Sequence, residues 1–154
     1  MKRIILAATV VIAGASFFTV RAQEKKLKLA QLPAAVQKTV SRESERATVK
    51  EYSTEVEGGV RLYEAELEIN GRSKDISINS KGEVVEIEEQ VELDSLPDAV
   101  KNALTKAAGG GTIRKIESLT KRGKLVAYEA AIVEGKKHRE VQAGPNGEKL
   151  AREQ

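Results

Sequence analysis

The sequence contains no cysteine, no tryptophan, one histidine and few aromatic residues. Without cysteine the chain can form no disulfide, no thiolate metal site and no nucleophilic thiol. After residue 18 the aromatic residues are three tyrosines, Tyr52, Tyr63 and Tyr128, which are too few for a platform on which nucleic-acid bases stack. The core must therefore be built from Leu, Ile, Val and Ala.

The single histidine gives no sign of catalysis. His138 is surrounded in the sequence by Lys136, Lys137 and Arg139, and with no second histidine and no cysteine it cannot complete a nitrogen or sulfur metal site. Catalysis of the Ser-His-Asp type would need this same histidine beside an orienting carboxylate. We therefore predict a protein that is not an enzyme, with no catalytic residue, no metal site and no cofactor.

The first residues are typical of an export signal. Lys2 and Arg3 precede an apolar run over residues 4–20, and the run ends near the small residue Ala22, as in a secretory signal peptide. The run is short for a hydrocarbon core ~30 Å thick. We predict a signal peptide over residues 1–22, a periplasmic or secreted location, and no stable membrane anchor after cleavage.

Removal of the signal changes the charge. The chain has 26 basic and 23 acidic residues, and Lys2, Arg3 and Arg21 leave with the signal, so 26 − 3 = 23 basic residues remain against 23 acidic ones. A nearly neutral chain lacks the net basic surface that phosphates attract. This predicts no nucleic-acid partner.

An internal repeat organises the remaining chain. Residues 32–36, Leu-Pro-Ala-Ala-Val, recur as Leu-Pro-Asp-Ala-Val at 96–100, and Tyr-Glu-Ala at 63–65 recurs at 128–130. Ile76 and Gly82 correspond to Val141 and Gly147. The repeat predicts a first module over residues 23–90 and a second over residues 91–154.

Each copy has a helical pattern followed by strand patterns. Leu32, Ala35, Val36, Thr39 and Val40 follow the spacing of a helix with one buried side, and Leu96, Ala99, Val100, Ala103 and Leu104 do so in the second copy. Pro33 and Pro97 suit the first helical turn, and Ser95 with Asp98 suggests a capping box. The first helix is expected to extend to about Glu45, and the glycines after Ala108 end the second.

Alternation with a period of two then predicts antiparallel strands. Tyr63, Ala65 and Leu67 point to one side, and Asn70-Gly71 predicts a two-residue hairpin. A last strand is expected near Leu150. The acidic segment from Glu88 to Asp94 is interpreted as a short exposed connection between the copies. The predicted fold is α+β: two tandem modules, each one helix followed by about four antiparallel strands, in a sheet with one face covered by the helix. The sequence leaves open whether the two sheets merge.

Carboxylates on the uncovered face are the candidate binding residues. The candidates are Glu64, Glu66, Glu68 and Asp75 in the first copy and Glu129 and Glu140 in the second. Glu64, Glu66 and Glu68 alternate along one strand, and Asp75 is expected across the hairpin from them. Such residues form the solvated side of a sheet, contact a partner or cation, or act as an acid and base pair.

The two copies differ in charge. Residues 23–90 contain 11 basic and 14 acidic residues, a net charge of −3, whereas residues 91–154 contain 12 and 9, a net charge of +3. We hypothesise that the halves complement each other, within the monomer or head to tail between molecules.

These motifs resemble a known family. The Leu-Pro-x-Ala-Val opening, the strand with Tyr-Glu-Ala and the turn at residues 79–83, Asn-Ser-Lys-Gly-Glu, resemble a PepSY-type module. Two modules behind a signal peptide resemble the beta-lactamase-inhibitor-like, PepSY-like proteins of bacterial envelopes, and the resemblance covers residues 28–154.

The resemblance implies an exported protein with a binding or inhibitory role, and an envelope or secreted partner, with a hydrolase among the candidates. The best-known fold relatives inhibit a hydrolase through an aromatic-rich sheet face, which this sequence lacks. Asn79 and Asn146 stand where calcium-binding turns have aspartate, which argues against calcium in the hairpins. The expected function is presentation of an open sheet face or edge to a protein, and the alternative is binding of a small ligand or cation by the acidic face.

Overall fold

The structure is a computed structural model that describes residues 25–150, so the predicted signal peptide at residues 1–22 lies outside the described residues. The two helices are α1 (Ala34–Glu43) and α2 (Asp98–Ala108). The strands are β1 (Lys25–Leu27), β2 (Thr48–Glu57), β3 (Val60–Ile69), β4 (Arg72–Asn79), β5 (Val84–Gln90), β6 (Thr112–Lys121), β7 (Lys124–Glu134) and β8 (Lys137–Ala143). A short 3₁₀ turn precedes each helix, at Leu29–Gln31 and Leu93–Ser95.

The eight strands form one antiparallel sheet in which their spatial order is their order in the sequence. The helices α1 and α2 pack on the same side of this sheet. We call that side the helix face and the opposite side the open face. Alternation along each strand divides the residues between the two faces, because successive side chains point to opposite sides.

The prediction of two tandem modules, each with one helix and about four strands, is wrong. Strand β5 pairs with β6, from Glu86 opposite Lys121 to Gln90 opposite Glu117, so residues 25–150 form one mostly β structure with a single sheet and two short α-helices. The pairing satisfies backbone groups that two separate sheets would each leave unpaired at an edge. It also crosses the predicted boundary between residues 90 and 91.

Several smaller predictions are corrected as well. The segment expected to be an exposed connection begins inside a strand, because residues 88–90 belong to β5. Residues 144–150 form a turn and irregular chain instead of a last strand near Leu150. Helix α1 ends at Glu43, before the expected Glu45. Ser95 caps no α2 amide, since its hydroxyl donates to the carbonyl of Glu92 instead.

Two hydrophobic clusters hold the helices against the sheet. The first joins Val36 and Val40 of α1 to buried residues of β3 and β4 such as Ala65 and Ile76. The second joins Val100 and Leu104 of α2 to Ile116 and Ala130. Between them the helix face carries the ion pair of Lys74 and Glu89, with 3.5 Å between nitrogen and oxygen. Burial of the aliphatic side chains therefore fixes both helices on one side, and no helix of residues 25–150 lies on the open face.

Two tight turns, one between β4 and β5 and one after β8, lie against the beginnings of the helices. Gly82, in the turn between β4 and β5, has φ +82°, and a Cβ built on it would lie 2.6 Å from the carbonyl oxygen of Ala35 in α1. The hydroxyl of Thr39 donates to the Gly82 carbonyl at 2.6 Å. Gly147, with φ +80°, approaches Ala99 at the start of α2 in the same way. These backbone contacts set the distance between each helix and the sheet.

The end of α2 is tied to the edge strand β8 by an arginine. The Nη2 atom of Arg139 donates to the carbonyl oxygens of Ala107 at 2.9 Å and Ala108 at 2.7 Å. These carbonyls are among the last of the helix and have no intrahelical partner. A positive charge here also favours the negative end of the helix dipole. Arg139 is therefore a structural residue, although it stands next to the only histidine.

We expect Arg139→Ala to lower the free energy of unfolding by about 1–2 kcal/mol, because two charged hydrogen bonds to helix carbonyls are lost. Urea unfolding of the variant and of the wild type measures the difference. Lys137→Ala on the same strand is the control, and an exposed lysine of this kind should change stability by less than about 0.5 kcal/mol. Equal effects of the two substitutions would show that Arg139 does not hold α2.

Candidate functional site

The open face carries a line of carboxylates across four adjacent strands. Glu51 of β2 is directly opposite Glu66 of β3, Glu66 is opposite Asp75 of β4, and Asp75 is opposite Glu88 of β5. Directly paired residues share a face, so all four side chains lie on the open side. We call these four residues the acidic row. A β-bulge after Val49 sets the register that places Glu51 in it.

A compact group of carboxylates lies at one end of the acidic row. Carboxylate oxygens of Asp75, Glu88 and Glu117 lie within 4.8 Å of one another, and all three residues are partly buried. Glu117 belongs to β6 and is the diagonal neighbour of Glu88, which pairs with Leu119. Three adjacent strands therefore contribute one acid each to this group.

Burial and neighbouring charges keep a proton on the central acid of the group. Burial is the largest cause, followed by the carboxylates of Glu117, Glu86, Glu129 and Asp75, and together they raise the pKa of Glu88 from 4.5 to about 8. A carboxyl group with this pKa is mainly uncharged at pH 7. Strongly shifted acids of this kind are concentrated at functional sites, although structural networks also produce them.

A lysine already offsets part of the negative charge. The Lys115 ammonium lies 2.6 Å from an oxygen of Glu117. Burial lowers the pKa of Lys115, but the hydrogen bond and charge of Glu117, helped by Asp75 and Glu88, outweigh burial, so the pKa is raised above 10.5. Lys115 is therefore a cation at any physiological pH and belongs to the site.

The other carboxylates of the open face mostly have close partners. Lys26 pairs with Glu51, Lys50 with Glu68 at 3.0 Å, and Lys121 with Glu86 at 3.0 Å. Ser53 donates to Glu64 at 3.3 Å, and Gln142 donates to Glu129 at 2.7 Å. Within residues 25–150, the side chains of Glu66 and Glu88 have no hydrogen bond or ion pair. The acidic row thus holds two acids without such a contact.

A shallow depression adjoins the row. It has a volume of about 410 Å³, and its lining includes Lys50, Glu66, Ser73, Gln90 and Lys115. Ser73 and Gln90 add neutral polar groups, since the Ser73 amide donates to the Gln90 side chain at 3.2 Å. A depression of this shape suits contact with a surface better than enclosure of a small molecule.

All six candidate residues predicted from the sequence lie on the open face, but they do not form one group. Glu66 and Asp75 are direct neighbours in the acidic row. Glu64 and Glu68 lie to either side of Glu66 along β3. Glu129 is opposite Glu117 on β7. Glu140 lies on the edge strand β8, opposite Ala131.

Glu88, Glu117 and Lys115 are site residues that the sequence pattern did not predict. Glu88 belongs to the segment that the sequence predicts to be a connection, but the apolar Ile87 on the helix face is a signal that Glu86 and Glu88 point to the open face. Glu117 corresponds to Ser53 at the 64-residue spacing of the repeat. Because the first copy has a serine at this position, the repeat does not mark Glu117 as a candidate acid. The proximity of these residues depends on the β5–β6 pairing, which the sequence leaves open.

The histidine and the tyrosines lie away from this site. His138 is exposed on β8 and lines a separate shallow depression with Arg114, Arg139 and Glu140. Tyr52, Tyr63 and Tyr128 pack against the hydrophobic clusters of the helix face. The described part of the open face therefore carries no aromatic side chain.

Comparisons with known proteins show the fold. No protein-family model matches the sequence, and no curated protein matches it at a significant level. A BLIP-like protein from Bacteroides fragilis has 20% sequence identity and a TM-score of 0.57 over 77% of this chain and 83% of its own. A proposed periplasmic protein from Bacteroides eggerthii has 18% identity and a TM-score of 0.64 over 80% and 88%.

A third similar structure is a DUF2874 family protein from Bacteroides ovatus, with 20% identity and a TM-score of 0.61 over 77% of this chain and 84% of its own. The shared feature is the arrangement of the sheet and helices along most of each chain. The chain therefore has the fold of BLIP-like and DUF2874 family proteins. The resemblance to tandem PepSY-type modules stays a prediction from the sequence.

Proposed function

We propose that the chain is an exported, non-enzymatic protein of the bacterial envelope that binds another envelope or secreted protein through its open face. The observation that carries the proposal is the asymmetry of the sheet: both helices cover one side, and nothing in residues 25–150 covers the other. An uncovered face with clustered, partly buried charges is a surface suited to recognition.

A periplasmic location is supported by the predicted signal peptide and by the location proposed for the Bacteroides eggerthii protein of the same fold. None of the helices in the described part of the chain has the length and apolar character needed to cross a membrane. A binding role is supported by the BLIP-like protein of the same fold. A hydrolase is one candidate partner.

The face is a better candidate than the sheet edges. Strand β1 has three residues, and β8 begins with Lys137 and His138, both exposed. Short edge strands and charged side chains are the usual protection against pairing with another strand. The open face spans all eight strands and needs no backbone pairing, so it supports the proposal over a peptide added at an edge.

The absence of cysteine allows a direct test of the face. Ser77 lies on the open face between Glu64 and Glu86, and Ser41 is exposed on α1. Ser77→Cys and Ser41→Cys, each coupled to a bulky maleimide polymer, block one side of the protein at a time. Both are then used as bait in an envelope extract from the producing bacterium, with mass spectrometry of the retained proteins.

We expect one dominant protein to be retained by the unlabelled wild type and by the labelled Ser41→Cys variant, and to be lost from the labelled Ser77→Cys variant. If the protein were lost from both labelled variants, or from neither, the result would contradict a contact on the open face. Retention of no protein by the wild type at low and moderate salt would overturn the proposed protein-binding function.

A divalent cation is a second candidate ligand, favoured by the oxygens of Asp75, Glu88 and Glu117 within 4.8 Å of one another. Carboxylate oxygens are suitable ligands for Ca²⁺. For a dissociation constant of about 0.1–1 mM, 10 mM Ca²⁺ should raise the free energy of unfolding by roughly 1.4–2.7 kcal/mol. Asp75→Asn with Glu117→Gln should abolish the increase, and NaCl of equal ionic strength is the control. An equal effect of NaCl would reject the cation.

A further inference from the structure

The acidic row is a line of carboxyl groups that the fold places in direct opposition, and Glu51, Glu66 and Asp75 carry its negative charge at pH 7, since Glu88 is mainly protonated. Each of its four residues lies opposite the next on the neighbouring strand. Neighbouring strands are ~4.8 Å apart, so the row is about 14 Å long. Like charges directly opposite each other destabilise a sheet. A sheet face that serves only solubility would be expected to alternate the two signs.

The surrounding cations offset the negative charge of the acidic row only in part. Lys26 contacts Glu51 at the β2 end, and Lys115 contacts Glu117 beside the β5 end. Among the described residues, Glu66 and Glu88 make no hydrogen bond or ion pair. Glu66, in the interior of the row, is therefore a carboxylate that a cationic side chain of a partner can contact without displacing an existing hydrogen bond or ion pair.

The composition of the face also limits the kind of contact. Interfaces that are anchored by aromatic residues use buried Tyr or Trp, but the three tyrosines pack on the helix face. Exposed Val56 and Val60 lie at the β2–β3 hairpin, outside the row. Complementary charge is thus the recognition chemistry that the open face provides most strongly, and such charges contribute mainly to specificity and to the rate of association.

We infer that the open face docks a lysine- or arginine-rich surface of a partner protein, laid across the acidic row. This inference rests on the proposed function and adds the chemistry and position of the contact. Basic side chains spaced along a helix or strand of the partner would lie between carboxylates of adjacent strands. Their charge would offset the repulsion between the row's own acids, so binding and relief of that repulsion occur together.

The test uses the Ser77→Cys protein carrying a small benzophenone cross-linker, in the same envelope extract. Glu66→Gln with Asp75→Asn removes two acids from the row with little change in shape. Glu45→Gln with Asp98→Asn is the matched control, because both of these acids are exposed, one after the end of α1 and the other in the first turn of α2. The two double variants have the same net charge.

We expect a cross-link to a partner segment rich in lysine or arginine, and at least a tenfold loss of its yield in the row variant. The control variant should remain within twofold of the wild type. The yield should also fall steeply in about 1 M NaCl, where the screening length is about 3 Å. Circular dichroism of both variants verifies that they fold.

The outcomes separate the two proposals. A cross-linked partner with equal yield from both double variants, or with an acidic or uncharged contact segment, would overturn the basic-partner inference and leave the protein-binding function in place. Stabilisation by Ca²⁺ with no cross-linked protein would overturn both in favour of the cation. A basic segment whose cross-link depends on the acidic row would support both.

Discussion

We expect Gly82→Ala to lower the free energy of unfolding by about 2–5 kcal/mol. Two costs combine. A side chain at φ +82° occupies the left-handed region, at about 1–2 kcal/mol, and its Cβ would lie 2.6 Å from the Ala35 carbonyl oxygen. Because that atom belongs to the helix backbone, relief requires α1 to move away from the sheet, at about 1–3 kcal/mol. Urea unfolding followed by circular dichroism measures the loss.

Gly71→Ala is a matched control for this substitution. Gly71 has φ +79°, but a Cβ there would meet nothing within 4 Å. It should therefore show only the backbone cost of about 1–2 kcal/mol. A similar loss in the two variants would contradict the close approach of α1 to the hairpin, whereas a larger loss in Gly82→Ala would establish it.

We expect Glu88→Gln to stabilise the protein at neutral and alkaline pH. Glu88 has a pKa of about 8 when folded, against 4.5 for an ordinary glutamate. Between these values the folded state holds a proton that the unfolded state has released, so the wild type loses stability as the pH rises from about 4.5 to 8. Glutamine has the same shape without this titration. The gain should be about 1–3 kcal/mol at pH 8.

The pH dependence distinguishes this effect from better packing. Unfolding free energies of the wild type and of Glu88→Gln should converge near pH 4, where Glu88 is protonated in both states, and should separate progressively up to pH 8. Glu45→Gln, at an exposed position after α1, should stay within about 0.5 kcal/mol of the wild type throughout. A constant difference between the Glu88→Gln and wild-type curves would show that Glu88 is not held in its protonated form.

Local features of the fold could be predicted from the sequence because local rules determine them. Asn70 and Gly71 both have positive φ, as the two-residue hairpin requires. The helical spacing of Val36 and Val40, and of Val100 and Leu104, identified residues that are buried. The alternation along β3 assigned Ala65 and Leu67 to the core and the glutamates between them to the open face.

The pairing of the two halves could not be predicted in this way. Strand β5 extends to residue 90 because it pairs with β6, and this pairing depends on the position of a strand that is distant in the sequence. The sequence of residues 86–90 is compatible both with a strand and with an exposed connection. The charged residues of this stretch resemble an exposed connection when they are read alone. The candidate site was therefore predicted in part, since Asp75 and Glu66 belong to one half while Glu117 belongs to the other.

The opposite net charges of the two halves are reflected in one ion pair where the halves meet. Lys121 of β6 pairs with Glu86 of β5 at 3.0 Å, so one basic residue of the second half contacts the acidic first half where the two meet. Arg72 of the first half also pairs with Glu92 of the second half at 3.1 Å, but here the signs are the reverse of the charge difference. The hypothesis of complementary halves stays a prediction, and the association of molecules head to tail is not required by these contacts.

The agreement between spatial and sequence order in the sheet has a consequence for how the protein folds. Each strand pairs with its predecessor and its successor in the chain, and most of these pairs are joined by tight turns. Such contacts close small loops at low entropic cost, which favours rapid folding. The exceptions are the β1–β2 and β5–β6 pairs, which must wait for the segments containing α1 and α2. A chain that emerges from a translocation channel N-terminus first can therefore add strands one at a time, with closure of the two helix-containing loops as the slowest steps.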